Sequence, residues 1–297
     1  MTPAVALSPA FIQSAIVREA PRPPELRNHL YAERFDWQTL FYDVYRCGRH
    51  VVLQGPPLFN LLDELRQCEP FASALRGLFP KAVHYGMKKR GEIWLKSDAQ
   101  RIVFDGPLGH FDLAVQPSDH ARYAGKRVLL TLSKDNEIRW ILDWARFHQR
   151  LHGAQSLLFY DNASQAYSYE ELQARLQEGL PEMDVQVVSW PFLYGPQAGP
   201  NWAVNGFEPD WDSDYCQVGV LQHARFRFLQ QARSVMHNDV DELVIGQSGA
   251  SVFEAAERSR QGMVKFDGRW ISVAGENPID PARCRHADFV FDEGTHV

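Results

Sequence analysis

A chain of 297 residues has room for one large domain or two of ordinary size, and a composition 45% hydrophobic, 12% aromatic and 23% charged is that of a globular protein. A net charge of -6 without a basic block argues against nucleic-acid binding by electrostatics. No run approaches the roughly 18 apolar residues that a membrane span needs.

Met1 to Ala10 lacks the basic start and apolar core of a signal peptide. Cys47, Cys68, Cys216 and Cys284 stand far apart without a CxxC pair, so a thiolate zinc site is not expected. Scattered thiols suit a reducing compartment, and the expected location is the cytoplasm.

Residues 1–30 read as a flexible N-terminal arm, because Ala20-Pro21-Arg22-Pro23-Pro24-Glu25 resists helix and strand alike. Residues 31–125 read as a smaller β-rich accessory domain. Its strands are His50 to Gln54, Glu92 to Lys96 and Arg101 to Phe104, each near a Gly/Pro turn signal, with a helix or helix pair between Leu58 and Phe79.

From residue 126 to 297 the pattern changes. Arg127 to Leu132 predicts a buried strand, and residues 136–152 follow a helical period that stops at Gly153. Ser156 to Tyr160 is a second strand. Ser168-Tyr169-Glu170-Glu171 has the spacing of a capping box. Asp184 to Trp190 is a third strand, followed by a loop rich in Gly, Pro, Trp and Asp. A helix from about Tyr215 to Arg233 then leads into Val235-Met236. Such alternation implies an α/β fold with a mostly parallel sheet and helices on both faces, whose ligands collect beyond the carboxyl ends of the strands.

Three polar clusters fall at those ends. After the first strand, Ser133-Lys134-Asp135-Asn136-Glu137 opens a helix whose free N–H groups favour a phosphate or a nucleobase carbonyl; plain capping by Ser133, Asp135 or Asn136 is the alternative. After the second, Asp161 of Asp161-Asn162-Ala163-Ser164 can accept from a base or ribose, or simply make an Asx turn. After the last comes His237-Asn238-Asp239-Val240-Asp241-Glu242. Alternating side chains would point Asp239 and Asp241 one way and Val240 into the core, giving two oxygen ligands for Mg2+ or Mn2+.

Other motifs narrow the field. GxGxxG and GxxxxGK[ST] are missing, and Gly246-Gln247-Ser248-Gly249 is not a nucleophile elbow. His237 with Asp239 offers an HxD pair, which keeps a metal-dependent phosphoester hydrolase open as an alternative. His148 and His152 lack the Glu of HExxH and read as surface or interface histidines. Trp190, Phe192, Tyr194, Trp202, Phe207, Trp211 and Tyr215 could stack on a sugar or merely pack the loop.

Taken in order, Lys134-Asp135-Asn136-Glu137, Asp143-Trp144 with Phe147-His148, Gly153, Tyr160-Asp161-Asn162-Ala163-Ser164, Gln222 and Asp239-Val240-Asp241-Glu242-Leu243 resemble glycosyltransferases of the GT-A fold, specifically the family 92 / DUF23-like group. The resemblance covers residues about 127–245. It departs from the family in the inserted Asp135, in Asp143 for Glu and in Leu243 for Phe. It implies a GT-A (Rossmann-like nucleotide-diphospho-sugar transferase) domain, a nucleotide-sugar donor, foremost a UDP-sugar, a glycan or other hydroxyl acceptor, and Mn2+ or Mg2+ at Asp239 and Asp241. Ser133, Asn136, Glu137, Asp161, Asn162 and Glu242 would line the donor pocket.

An inverting enzyme also needs a carboxylate base after the acidic motif, and Glu276 is favoured over Asp267 and Asp280. The family carries a later basic strand and a C-terminal His that completes the metal site. The chain ends at Thr295-His296-Val297, which implies a GT-A domain shortened at its C-terminus. A non-catalytic nucleotide-sugar- or carbohydrate-binding protein of the same fold is therefore a further alternative.

Overall fold

The computed structural model describes residues 5–76, 81–87, 89–196, 212–246, 249–273, 280 and 283–296. In chain order its strands and helices are β1 (Ala10–Phe11), α1 (Tyr31–Arg34), β2 (Thr39–Phe41), β3 (Asp43–Cys47), β4 (His50–Gly55), α2 (Leu61–Leu65), α3 (Phe71–Ala74), β5 (Ala82–Met87), β6 (Arg90–Lys96), β7 (Arg101–Gly106), β8 (Gly109–Ala114), β9 (Arg127–Ser133), α4 (Ile138–His152), β10 (Ser156–Asp161), α5 (Tyr169–Gly179), β11 (Asp184–Ser189), α6 (Tyr215–His223), β12 (Ser234–His237), α7 (Val252–Arg258), β13 (Arg269–Val273) and β14 (Phe289–His296). The chain is mixed α/β and divides into two compact units, one of residues 5–122 with 191–230 and one of 123–190 with 231–297. Among the described residues no helix is long and apolar enough to cross a membrane.

The first unit, the meander unit, is built on an antiparallel sheet of order β3-β4-β6-β5, with β7-β8 as a separate hairpin. Strand alternation gives the sheet two faces. Val51, Leu53, Ile93 and Leu95 join Leu61, Leu65, Phe71, Phe104 and Phe111 in one core. Gln54, Glu92 and Trp94 point the other way, and α6 covers them. Gln54 Nε2 donates to the Gly219 carbonyl at 2.6 Å, Arg90 Nη1 to Gln222 Oε1 at 2.6 Å, and the Trp94 and Phe226 rings meet at 4.8 Å. The sequence predicted one helix from about Tyr215 to Arg233. The helical path does run to Gln231, but only to His223 as an α-helix; it continues as a π turn over residues 224–228 and a 3-10 turn over 229–231.

Residues 5–30, read from the sequence as an arm, are fastened into this unit. The buried Arg18 guanidinium donates to the carbonyls of Pro57, Asp36 and Thr39, and Arg22 forms a two-pronged pair with Asp212 at 2.5 and 2.8 Å. The Tyr31 hydroxyl donates to the same Asp212 carboxylate at 2.7 Å. Prolines bar regular structure here, but they do not bar burial when arginines find carbonyl and carboxylate acceptors.

The second unit, the parallel unit, holds a sheet of order β11-β10-β9-β12, every pair parallel. Leu129, Leu157, Phe159, Val185, Val187 and Met236 share one face and form a core with Ile141 and Trp144 of α4, Leu172 and Leu176 of α5, and Phe253 of α7. The other face is buried too, at Val128, Leu130, Leu158, Tyr160 and Val188, which explains the continuous apolar strands. Gly153 ends α4 in the left-handed region (φ 72°), its N–H bonded to the Gln149 carbonyl at 3.0 Å. Ser168 Oγ caps α5 by accepting from the Glu171 N–H at 3.1 Å.

At the amino ends of the strands, Glu257 of α7 accepts from Arg127 at 2.9 and 3.0 Å and from Ser234 at 2.8 Å. Arg127, with help from Ser234 and Arg233, holds this carboxyl down at about 2. The starts of β9 and β12 are thereby tied to α7.

Candidate functional site at the carboxyl rim

The strand order decides where a site can lie. From β9 the chain steps through α4 to β10 and through α5 to β11, then returns to β12 on the opposite side of β9. The switch point is therefore between β9 and β12. β12 is also short: His237 pairs with Leu130, while β9 and β10 continue to Ser133 and Asp161. The segment after β12 begins three residues below the rim of its neighbour, beside Thr131-Leu132-Ser133.

The loops after β9 and β10 are cross-linked. The Asp135 N–H donates to Ser164 Oγ at 2.8 Å, and that hydroxyl donates to Asp161 Oδ1 at 2.5 Å. Asp135, itself at φ 54°, accepts from the N–H groups of Gln165 and Ala166 at 2.5 and 3.0 Å. Asn136 Nδ2 donates to Ser133 Oγ at 2.8 Å, and the Tyr167 hydroxyl donates to the Asn136 carbonyl at 3.0 Å. Asp161 is buried, and desolvation raises its pKa against the opposing Ser164 hydrogen bonds. Its second oxygen takes the Ser164 N–H at 3.3 Å, so the carboxylate closes its own loop three residues on, one residue further than the Asx turn offered by the sequence. Asn162 Nδ2 reaches the Trp190 carbonyl at 2.8 Å and locks the ends of β10 and β11 together.

The N-cap of α4 is Glu137, not Ser133, Asp135 or Asn136, and it makes no side-chain cap. Its carboxylate is exposed. The side chains that the sequence offered as caps are taken up instead: Ser133 and Asn136 bond to each other, and Asp135 bonds across to the loop after β10.

The acidic motif is a turn rather than a strand extension. Glu242 N–H donates to the Asp239 carbonyl at 3.1 Å, and Glu242 Oε2 accepts from the Asp239 N–H at 3.0 Å. Asn238 Nδ2 closes the loop on the Glu242 carbonyl at 2.8 Å. Val240 is buried in the core, as the sequence predicted, but alternation along an extended strand is not what puts it there.

Asp239, Asp241 and Glu242 are exposed. Enough protein surrounds the Asp239 carboxyl that desolvation raises its pKa, and the negative charges of Glu242 and Asp241 raise it further. A divalent cation would relieve that crowding. Two carboxylates at a rim, with remaining positions open to water and phosphate oxygens, is a donor set that suits Mg2+ or Mn2+. Asn238 Oδ1 and His237 Nε2 are buried beside the turn with no hydrogen-bond partner among the described residues. Among the described residues Asp239 and Asp241 are not part of a cluster of three His, Cys, Asp or Glu side chains that could hold a metal ion.

Two histidines hold the chain just after this turn, and here the sequence expectation is corrected. His148 and His152 are buried on the inner face of α4. His148 Nδ1 donates to the Trp144 carbonyl at 2.8 Å and its Nε2 accepts from the Val244 N–H at 3.2 Å. His152 Nε2 donates to the Val244 carbonyl at 2.7 Å while its Nδ1 accepts from the Val252 N–H at 3.3 Å. Both rings are thus neutral, in opposite tautomers, gripping the two polar groups of one peptide residue. Burial above all, then the neighbouring His152 and His286, drives the His148 pKa down to about 4.

The remaining sequence candidates lie elsewhere. Gln222 belongs to the meander unit, bonded to Arg90. Glu276 lies outside the described residues. Asp280 is paired with Arg283 at 3.4 Å, and His296 ends β14. Sequence reasoning missed His286, whose Nε2 donates to the Val240 carbonyl at 2.8 Å. Its only signal was an isolated His downstream of the acidic motif.

Comparison with known proteins finds no matching family model, no matching curated protein and no matching solved structure.

Proposed function

We propose that the chain is a metal-dependent glycosyltransferase of the GT-A fold, moving a sugar from a nucleotide-sugar donor, a UDP-sugar foremost, to a glycan or other hydroxyl acceptor. The observation that carries the reading is the crowded Asp239–Glu242 turn at the β9/β12 switch point of a four-stranded parallel sheet. The sequence resemblance supplies the reaction type.

In this reading Asp239 and Asp241 hold Mn2+ or Mg2+ together with the donor diphosphate. The ion's chemistry is neutralisation of charge on the departing diphosphate. Glu242 fixes the turn through the Asp239 N–H. Ser133, Asn136 and Glu137 present the open start of α4 to the donor. Asp161 and Asn162 act through the framework of the rim, since their side chains are committed to Ser164 and Trp190. Glu276 is the residue proposed as base for an inverting transfer.

Incubation with a panel of UDP-sugars and Mn2+, with UDP release as readout, tests the activity. The expected result is slow donor hydrolysis that falls to background in Asp241→Ala and on chelation of the metal. UDP binding without release from any donor would favour the non-catalytic binding protein of the same fold.

A further inference from the structure

The segment 283–288 does more than follow the sheet. Trp140 Nε1 on α4 donates to the Cys284 carbonyl at 2.8 Å. Arg285 and Asp143, also on α4, form a two-pronged ion pair, with Nε at 2.9 Å and Nη2 at 2.5 and 2.6 Å. The next residue, His286, donates from Nε2 to the Val240 carbonyl at 2.8 Å. Asp288 closes the segment by accepting from the Arg285 N–H at 2.8 Å.

A carbonyl at the second position of a β-turn ordinarily faces solvent. Here it is taken by a ring 46 residues away that is itself anchored to a helix. The Asp239–Glu242 turn is therefore held from outside at Val240 by His286, and the chain just after it is held at Val244 by His148 and His152. The side chains of Asp239 and Asp241 flank the peptide group that His286 grips.

We propose that His286 is a positioning residue for the acidic turn, fixing the Val240 peptide so that Asp239 and Asp241 are presented together, with Arg285–Asp143 and Trp140–Cys284 as the clasp that holds it to α4. The inference rests on the functional reading given above for what the turn binds, but the clasp itself does not. His286 touches neither donor nor metal in this assignment.

The test compares wild type with His286→Ala and His286→Gln in two measurements. The first is amide hydrogen exchange across residues 239–244. The expected result is faster exchange of the Asp239 and Glu242 amides in His286→Ala, with protection restored in His286→Gln, whose side-chain N–H can reach the same carbonyl. The second is UDP binding in the presence of Mn2+. His286→Ala should bind about 10-fold or more weakly, the order seen for groups that orient metal ligands, while His286→Gln stays within about threefold of wild type. A defect that came from loss of the ring's packing alone would not be repaired by glutamine. Should His286→Ala fail to fold, Arg285→Ala changes an exposed side chain and loosens the same clasp, and faster turn exchange is again expected. Unchanged exchange in the variants overturns the proposal, as does equal UDP affinity in wild type and His286→Ala. If wild type binds no UDP with Mn2+, the transferase reading falls and the exchange result alone decides the clasp.

Discussion

Asp43→Ala is expected to lower the unfolding free energy of the meander unit by about 3–5 kcal/mol, the range for breaking a buried pair from one side. Asp43 is fully buried, and its four hydrogen bonds gather parts of the chain far apart in sequence. Oδ1 accepts from the Ser8 and Val44 N–H groups at 2.7 and 2.8 Å; Oδ2 accepts from Arg227 Nη1 at 2.7 Å and His223 Nε2 at 2.9 Å. Desolvation pushes the Asp43 pKa up, but the His223 hydrogen bond, the Arg227 charge and the Ser8 N–H outweigh it and hold the carboxyl below the usual carboxylate range. Removing the carboxylate strands the Arg227 charge, which is 4% exposed, and leaves two backbone donors unpaired. Asp43→Asn keeps an acceptor for those donors and should cost less. Urea unfolding followed by Trp fluorescence checks both. A loss below about 1 kcal/mol for alanine would mean that water replaces the carboxylate and that the cluster is not what fastens residues 215–230 to the sheet.

The second large effect is acid sensitivity. The unfolded chain binds a proton on each histidine near the ordinary pKa of about 6.5. Folded His148 does so only near 4, and burial lowers His223 as well, against the opposing pull of Asp43. A histidine with a depressed folded pKa contributes stability that is complete above its unfolded pKa. That stability is lost as pH falls from about 6.5 towards the folded value, because the unfolded state takes up the proton first. For His148 the full loss is about 3 kcal/mol. The chemistry is visible in the contacts: protonation would put a hydrogen on the Nε2 that now accepts from Val244. Urea midpoints at pH 7.5, 5.5 and 4.5 should fall steadily across that window, and His148→Gln should flatten part of the slope. Constant midpoints from pH 7.5 to 4.5 would show that the two rings are not held neutral.

The parallel unit was the legible part of the sequence, because its signals are local. Strand runs, the α4 period, Gly153 and the Ser168 cap each report on a few neighbouring residues, and the order β-α-β-α-β follows from them. The carboxyl-end clusters followed from that order. What depends on distant chain was not legible. His148 and His152 at i and i+4 looked like polar residues on a helix surface, since nothing local shows that Val244 and Val252 return to meet them. Arg18 and Arg22 sit in a proline-rich stretch whose composition argues for an arm, and their acceptors lie at residues 36, 39, 57 and 212. The acidic motif was found, but its backbone was misread. Period-two alternation cannot tell a strand end from a turn when the next apolar residue is buried either way.

The central claim is that the Asp239–Glu242 turn holds a cation and a nucleoside diphosphate at the β9/β12 switch point. Calorimetric titration of UDP, with GDP as control, with and without Mn2+, on wild type and Asp241→Ala, tests it most directly. UDP binding that requires Mn2+ and is lost in the variant is the predicted result. UDP binding that ignores both the metal and the Asp241 carboxylate, or no nucleotide binding under any condition, would contradict it.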